Sequence, residues 1–141
     1  MLKKLLFGFV LIISIMFITI IGIGHLDYYT NVSPLVVSET EDVNKIYISN
    51  RTTDDYSNRI PYTMHNLIIS NLKNAKPYCK SRTDFVYSYY EVKIGVSADD
   101  GYNLYYLYVD DGKYYCEVPY RGVYIIDQEL YDYCIEFLAD K

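Results

Sequence analysis

Two pairs of adjacent carboxylates, Asp99-Asp100 and Asp110-Asp111, are the first candidates for chemistry in this 141-residue chain. Clustered carboxylates are the ligands that Ca²⁺ prefers. Each pair, however, is followed by a glycine, in a pattern typical of a tight hairpin turn. About eight residues of strand separate the two turns, and at about 3.3 Å per residue they place the pairs roughly 25 Å apart. We therefore expect turns at opposite ends of a sheet and predict no metal site.

Nucleophilic catalysis needs a nucleophile, a base and a group that orients the base. The two histidines are His25, at the end of an apolar segment, and His65, on a predicted helix where a lone histidine is usually structural. Cys79 lies in a predicted loop between Lys76 and Lys80, which would favour a reactive thiolate. Without a matching histidine, we interpret it as an incidental thiol. We predict no catalytic residue, no cofactor and no enzymatic activity.

The chain has three cysteines, a small and odd number that does not indicate a disulfide framework. Cys116 shares a strand face with Tyr114 and Val118, and Cys134 lies on the apolar stripe of the last helix. Both are expected between sheet and helix, where backbones lie about 10 Å apart. A disulfide needs α-carbons within about 7 Å. We predict three free thiols, with Cys79 the accessible one.

Tyrosine is unusually frequent, with 19 residues and no tryptophan. The codon usage of an AT-rich genome accounts for the number of tyrosines but not for their positions. If the Val and Ile side chains of the sheet face the helices, tyrosines occupy the opposite face among Glu91, Lys93 and Glu117. The candidate binding residues on that face are Tyr47, Tyr87, Tyr89, Tyr105 and Tyr115. Tyrosine suits contact surfaces and sugar stacking, but cross-strand tyrosine pairs also stabilise a sheet that binds nothing.

The elements that must position these residues follow from periodicity. We predict an α+β fold in which an N-terminal transmembrane helix precedes a β-α-β-β-β-β-α domain, with an antiparallel meander and two helices on one face. The first helix begins at Pro61 and ends at Lys76-Pro77. The predicted strands are Val43–Ser49, Phe85–Ser97, Tyr102–Val109, Tyr114–Val118 and Val123–Ile126, and Gln128–Leu138 is the closing helix.

An uncharged segment, Leu5–Gly24, is long enough to span a bilayer, since twenty helical residues cover about 30 Å. Lys3 and Lys4 precede it, which places the N-terminus in the cytoplasm and the rest of the chain outside. The alternative is a cleaved signal peptide, for which Gly22–Gly24 would be the cleavage site. A signal peptide has an apolar core of only about 7–15 residues, so the sequence favours an uncleaved anchor.

The predicted organisation is a cytoplasmic tip and anchor (1–24), a stalk (25–42) and an extracytoplasmic domain (43–141). All 18 acidic residues follow Gly24, whereas two of the 13 basic residues precede it, which leaves the external part near −7. So acidic a surface repels phosphate backbones and anionic headgroups. We therefore expect no nucleic-acid partner.

The layout resembles a family of uncharacterised small domains anchored outside the membrane of low-GC Gram-positive bacteria, often as lipoproteins. The features that carry the resemblance are the basic N-terminus, the membrane segment, the Lys-Ile-x-Ile pattern at Lys45–Ile48, a Met/Leu/Ile helix, the tyrosine-rich meander and the closing helix. It covers about Val43 to Ala139, and this chain departs from it in lacking a lipidation cysteine. The resemblance implies location and fold, and it transfers no functional residue.

These observations favour a non-enzymatic, membrane-anchored module that binds an envelope protein or a cell-wall component through the tyrosine face. One alternative is a structural spacer or accessory subunit of a membrane complex, recruited by its anchor helix. The other is a cell-wall hydrolase, which would need two carboxylates about 5–10 Å apart in a cleft. A cleft lined by acidic residues would indicate the hydrolase, and an aromatic sheet face would indicate the binding module. A surface that is polar everywhere would indicate the spacer.

Overall fold

The computed structural model describes the backbone of residues 2–51, 58–81 and 90–140, with side chains from residue 8 onward. The helices are α1 (Leu2–Thr30), α2 (His65–Lys73) and α3 (Gln128–Ala139). The strands are β1 (Val43–Asn50), β2 (Lys76–Cys79), β3 (Val92–Ala98), β4 (Gly101–Asp110), β5 (Lys113–Val118) and β6 (Gly122–Ile125). Short 3₁₀ turns at Thr40–Asp42 and Tyr62–Met64 precede β1 and α2.

The six strands form one antiparallel sheet in the order β1-β3-β4-β5-β6-β2. The predicted α+β architecture is confirmed, with one strand more than expected. The end predicted for the first helix, Lys76-Pro77, lies instead in β2, and α2 already ends at Lys73. Because β2 is an edge strand, the missing N–H of Pro77 costs the sheet little.

Two other predicted boundaries differ from the structure. The helix expected from Pro61 begins with the turn at Tyr62–Met64 and becomes α-helical at His65. The strand expected from Phe85 is β3 from Val92 onward, and residues 85–89 of that prediction lie outside the described residues.

The main core lies between the sheet and the two short helices. Alternate strand residues such as Ile48, Ile94 and Cys116 pack with Ile68 of α2 and Cys134 of α3 in one buried cluster. Since both helices contribute to this cluster, they cover the same face of the sheet, as predicted. Each buried aliphatic side chain contributes about 1.5–3 kcal/mol relative to its exposure.

The cysteines are all free and all buried. The predicted positions of Cys116 and Cys134 between sheet and helix are confirmed, and burial raises the pKa of Cys134 to about 12 and that of Cys116 further. The prediction of an accessible Cys79 is wrong. This residue ends β2 with only 5 % of its surface exposed, because the end of α1 lies against it.

The segment 25–42, predicted as a stalk, packs on the domain. Its first six residues continue α1 to Thr30. Leu35 and Val37 then insert into the main core, and Asp42 is followed directly by β1. Val36, between them, is 69 % exposed although it is equally apolar, so residue type alone does not indicate which side chains of this segment pack on the domain.

One helix of the described residues is long and apolar enough to cross a membrane. Within the 23 residues Gly8–Thr30 of α1, the most apolar 18-residue window has a mean hydropathy of 2.5, and none of that window is buried in the protein. The predicted apolar anchor segment, Leu5–Gly24, therefore lies in a continuous helix that leaves the domain.

Candidate functional site

The last turn of α1 is attached to the sheet by polar contacts at the end of β2. The backbone N–H of Lys80 donates a hydrogen bond of 3.0 Å to the carbonyl oxygen of Tyr28. The ammonium group of Lys80 also forms an ion pair with the carboxylate of Asp27. Lys80 therefore caps one of the carbonyls that a helix leaves unpaired at its C-terminus, and a positive charge there is favourable.

A continuous series of aromatic rings crosses from α1 to the sheet. The ring centroids of Tyr29 and Tyr78 are 5.7 Å apart, those of Tyr78 and Tyr115 5.2 Å, and those of Tyr115 and Tyr108 5.4 Å. Rings in this range attract each other by about 0.5–1.5 kcal/mol per pair beyond their burial. Tyr28 completes the packing, since it contacts the small buried cluster of Cys79, Tyr115 and Val123 on this face.

A groove of about 550 Å³ opens between the end of α1 and strands β2 and β4. Four tyrosines line it, Tyr28, Tyr29, Tyr78 and Tyr108, together with the carboxylate-bearing Asp110. We call it the tyrosine groove. Its walls offer aromatic faces with hydroxyl tips, which is the combination that binding sites use for ligands with both apolar and polar surfaces.

The structure places the five predicted binding tyrosines differently from one another. Tyr115 lies on the face away from the main core, as predicted, but it is 6 % exposed, and burial raises its pKa. Tyr47 is half-buried, opposite in direction to Ile46 and Ile48. Tyr87 and Tyr89 lie outside the described residues.

The placement of Tyr105 on the tyrosine face is wrong. It pairs with Ile94 across β3 and β4, and it packs in the main core with Leu107. Burial raises its pKa to about 12. Tyr106 and Tyr108 take the other face instead, because side chains alternate along a strand.

Sequence reasoning missed the groove tyrosines Tyr28, Tyr78 and Tyr108. A signal existed for Tyr108: the turn after Asp110 pairs that residue with Lys113, which places Tyr108 opposite Tyr115. No such local signal exists for Tyr28 or Tyr78. Their position depends on how α1 meets β2, a contact between elements separated by about fifty residues of chain.

A row of polar residues expected on the surface of this face is buried. Lys93, Tyr106 and Glu117 are cross-strand neighbours on β3, β4 and β5. Lys93 and Glu117 are 9 % and 1 % exposed, respectively. Ser81 donates a hydrogen bond of 2.7 Å to Oε1 of Glu117, while Oε2 has no partner within the described part of the chain.

The residues first considered for catalysis and metal binding are separated in the fold. Asp99 and Asp100 stand before β4, and Asp110 and Asp111 at its far end. Among the described residues, no three His, Cys, Asp or Glu side chains are grouped so that they could hold a metal ion. His65 is fully buried at the start of α2, and burial lowers its pKa.

Comparison with known proteins supports the fold. The NMR structure of a protein from Ruminococcus gnavus is similar to this chain, with a TM-score of 0.54 and 24 % sequence identity. The likeness covers 70 % of this chain and 99 % of that protein. No family model and no curated protein matches the chain. At this level of identity the likeness shows a shared fold and nothing about a function.

Proposed function

We propose that this chain is a single-pass membrane protein whose domain lies outside the cytoplasm and acts as a non-enzymatic interaction module at the cell envelope. The proposed binding site is the tyrosine groove, and the proposed ligand is a cell-wall component or an envelope protein. The observation that carries the proposal is that this groove is built jointly by the apolar helix and the sheet.

The length and flanks of α1 support the membrane location. The predicted membrane segment, Leu5–Gly24, corresponds to about 30 Å of helix, which matches the roughly 30 Å of hydrocarbon in a bilayer. Lys3 and Lys4 precede it, and basic residues favour the cytoplasmic side. The resemblance to extracytoplasmic domains of low-GC Gram-positive bacteria points to the same location.

The position of the groove supports a role at the membrane boundary. Tyr28 follows the predicted membrane segment by four residues, or about 6 Å of helix. Tyrosine is enriched at that depth because its ring is apolar and its hydroxyl is polar. A ligand in the groove would therefore contact the domain immediately beside the lipid headgroups.

A spacer or accessory subunit is the second candidate. The observation that favours it is that Tyr78, Tyr108 and Tyr115 make ring contacts with one another and with α1. These contacts stabilise the attachment of the helix whether or not a ligand binds. In this alternative the tyrosines are structural, and the membrane helix recruits the partner.

The binding proposal is tested by co-sedimentation of the full chain, in detergent micelles, with purified cell-wall fragments. We expect the double variant Tyr29→Ser with Tyr108→Ser to lose most of its binding, because both rings line the groove. Its main core is untouched, so its thermal midpoint should change by only a few degrees. Tyr62→Ser is the matched control, since Tyr62 is 66 % exposed and lies outside the groove. Equal binding by all three proteins, or none by the wild type, would favour the spacer.

A further inference from the structure

A second pocket, of about 540 Å³, lies where the chain leaves α1 and passes the tip of the β5–β6 hairpin. The residues that matter for its chemistry are Asn31, Ser33, Lys80, Tyr120 and Arg121. We call it the juxtamembrane pocket. It differs from the tyrosine groove in carrying two basic side chains and no carboxylate in its lining.

Basic residues in this pocket are notable because the external part of the chain is strongly acidic. Lys80 is partly compensated by its ion pair with Asp27. The guanidinium of Arg121 is exposed and, among the described residues, forms no ion pair and no side-chain hydrogen bond. Arg121 is therefore the uncompensated charge of the pocket, and its planar array of donors matches the oxygens of a phosphate.

The neighbouring polar groups have defined roles. The hydroxyl of Tyr124 donates a hydrogen bond of 3.2 Å to the carbonyl of Ser33, which fixes the wall of the pocket. Ser81 directs its proton to the buried carboxylate of Glu117, so it cannot also donate to an anion. The side-chain donors left for a ligand are Arg121, the remaining N–H groups of Lys80, the second amide N–H of Asn31, and the hydroxyls of Ser33 and Tyr120.

The hairpin tip holds Tyr120 in an unfavourable backbone conformation. Its φ of 63° lies in the left-handed region, which a bulky residue seldom adopts. Its side chain is 76 % exposed, so no packing within the described part of the domain offsets this strain. Strained residues that persist in a fold are concentrated at binding sites. The strain places an aromatic ring beside Arg121 at the pocket.

From this geometry we infer that the juxtamembrane pocket binds a phosphate ester, supplied by the headgroup of a phospholipid in the membrane that α1 crosses. The inference rests on the proposed membrane location. Asn31 follows the predicted membrane segment by seven residues, or about 10 Å of helix, which is about 3–5 Å beyond a headgroup layer about 5–7 Å thick. This gap is shorter than an extended arginine side chain. Arg121 would thereby offset locally the repulsion between an acidic domain and anionic lipid.

The test is calorimetric titration of the full chain, in detergent micelles, with short-chain phosphatidylglycerol. Arg121→Gln should weaken binding about tenfold, which corresponds to about 1.4 kcal/mol, because it removes a charge-assisted hydrogen bond to the phosphate. Lys113→Gln removes the same charge at the other end of β5 and should leave the affinity unchanged. Tyr120→Gly should also weaken binding while leaving the thermal midpoint equal or higher, because glycine relieves the strained φ.

Two further ligands separate the possible sources of the phosphate. Short-chain diacylglycerol, which lacks phosphate, should not bind. If inorganic phosphate binds with the same dependence on Arg121, the pocket is a general site for phosphate groups. If inorganic phosphate does not bind, the pocket is specific for lipid headgroups. Equal binding of diacylglycerol, or equal losses in Arg121→Gln and Lys113→Gln, would overturn the inference. The groove variants should bind the phospholipid normally, so this inference and the proposed function can fail separately.

Discussion

At the scale of single residues, burial rather than residue type decides what the titratable groups of this domain can do. The imidazole of His65 is fully buried. Burial lowers its pKa below the usual value of 6.5 and, with the positive charge of Arg59, outweighs the effect of the Ile60 backbone, which raises the pKa. The protonation of His65 is therefore linked to the stability of the fold.

This burial predicts a pH dependence of stability. In the unfolded chain His65 takes up a proton near pH 6.5, whereas the folded state resists protonation. The contribution of neutral His65 to the free energy of unfolding is therefore complete above about pH 6.5. It is lost as the pH falls from that value towards the pKa of His65 in the folded protein. We expect the thermal midpoint of the wild type to fall over this range, and the fall to be smaller in His65→Gln.

His25→Gln is the control, because His25 is exposed on α1 and its replacement should leave the slope unchanged. Parallel pH profiles for the wild type and His65→Gln would contradict the assignment. The difference between the profiles isolates His65 from the other titratable groups, which are the same in both proteins.

At the scale of the elements, local periodicity was enough to predict five of the six strands, the turns at both ends of β4 and the helices that cover one face. Val92, Ile94 and Val96 alternate along β3, and the carboxylate pairs mark both ends of β4. The second face could not be predicted in the same way. Beside β2 its cover comes from the end of α1, whose apolar length indicated a membrane anchor and gave no reason to expect contact with the sheet.

The same limit explains the errors at the candidate site. Tyr105 was assigned to the wrong face because tyrosine is compatible with either face of a strand, and only its pairing with Ile94 decides between them. Cys79 was expected in a loop because Pro77 was interpreted as a helix end. Both side chains are buried by contacts distant in sequence, which a local pattern does not contain.

The attachment of α1 predicts how the reactivity of Cys79 is controlled. Tyr28 packs on the cluster that contains Cys79. Tyr28→Ala removes apolar contacts that stabilise the attachment of α1 to the sheet by about 1–2 kcal/mol. This loss corresponds to a roughly tenfold higher population of the state in which the end of α1 is detached from the sheet. We expect the rate at which a thiol reagent labels Cys79 under native conditions to rise by about this factor.

Cys116 and Cys134 provide an internal control in the same experiment. Both are fully buried in the main core and should remain unlabelled in the variant. Tyr62→Ala, a change at an exposed tyrosine, should not alter labelling. Simultaneous labelling of all three thiols would indicate global unfolding, and an unchanged rate would mean that α1 does not protect Cys79.

At the scale of the whole molecule, the orientation in the membrane is the property on which the proposed function depends. Lys113→Cys places an accessible thiol at the exposed start of β5, beside the turn that follows β4, against a background of three buried cysteines. In intact, wall-stripped cells we expect a membrane-impermeant maleimide to label it. A cysteine placed directly after Met1 should be labelled only after permeabilisation.

Each alternative topology gives a distinct result in that experiment. Labelling of the N-terminal cysteine alone would show that the domain lies in the cytoplasm. Release of a soluble labelled protein that begins near His25 would show that the apolar segment is a cleaved signal peptide. Cleavage near His25 would leave Tyr28 and Tyr29 in the mature protein, and the tyrosine groove would keep the wall that they form. Only cleavage after Tyr29 would remove that wall.

The attachment of α1 to the sheet also determines how far the domain can reach. A flexible tether lets a domain sample a volume whose radius grows with the square root of tether length. Here the hydrogen bond from Lys80 to Tyr28 and the insertion of Leu35 and Val37 leave almost no tether. If α1 crosses a bilayer, as proposed, the domain would search in two dimensions, by lateral diffusion at a fixed height above the bilayer. A partner at that height would meet it at the higher effective concentration that confinement to a surface provides.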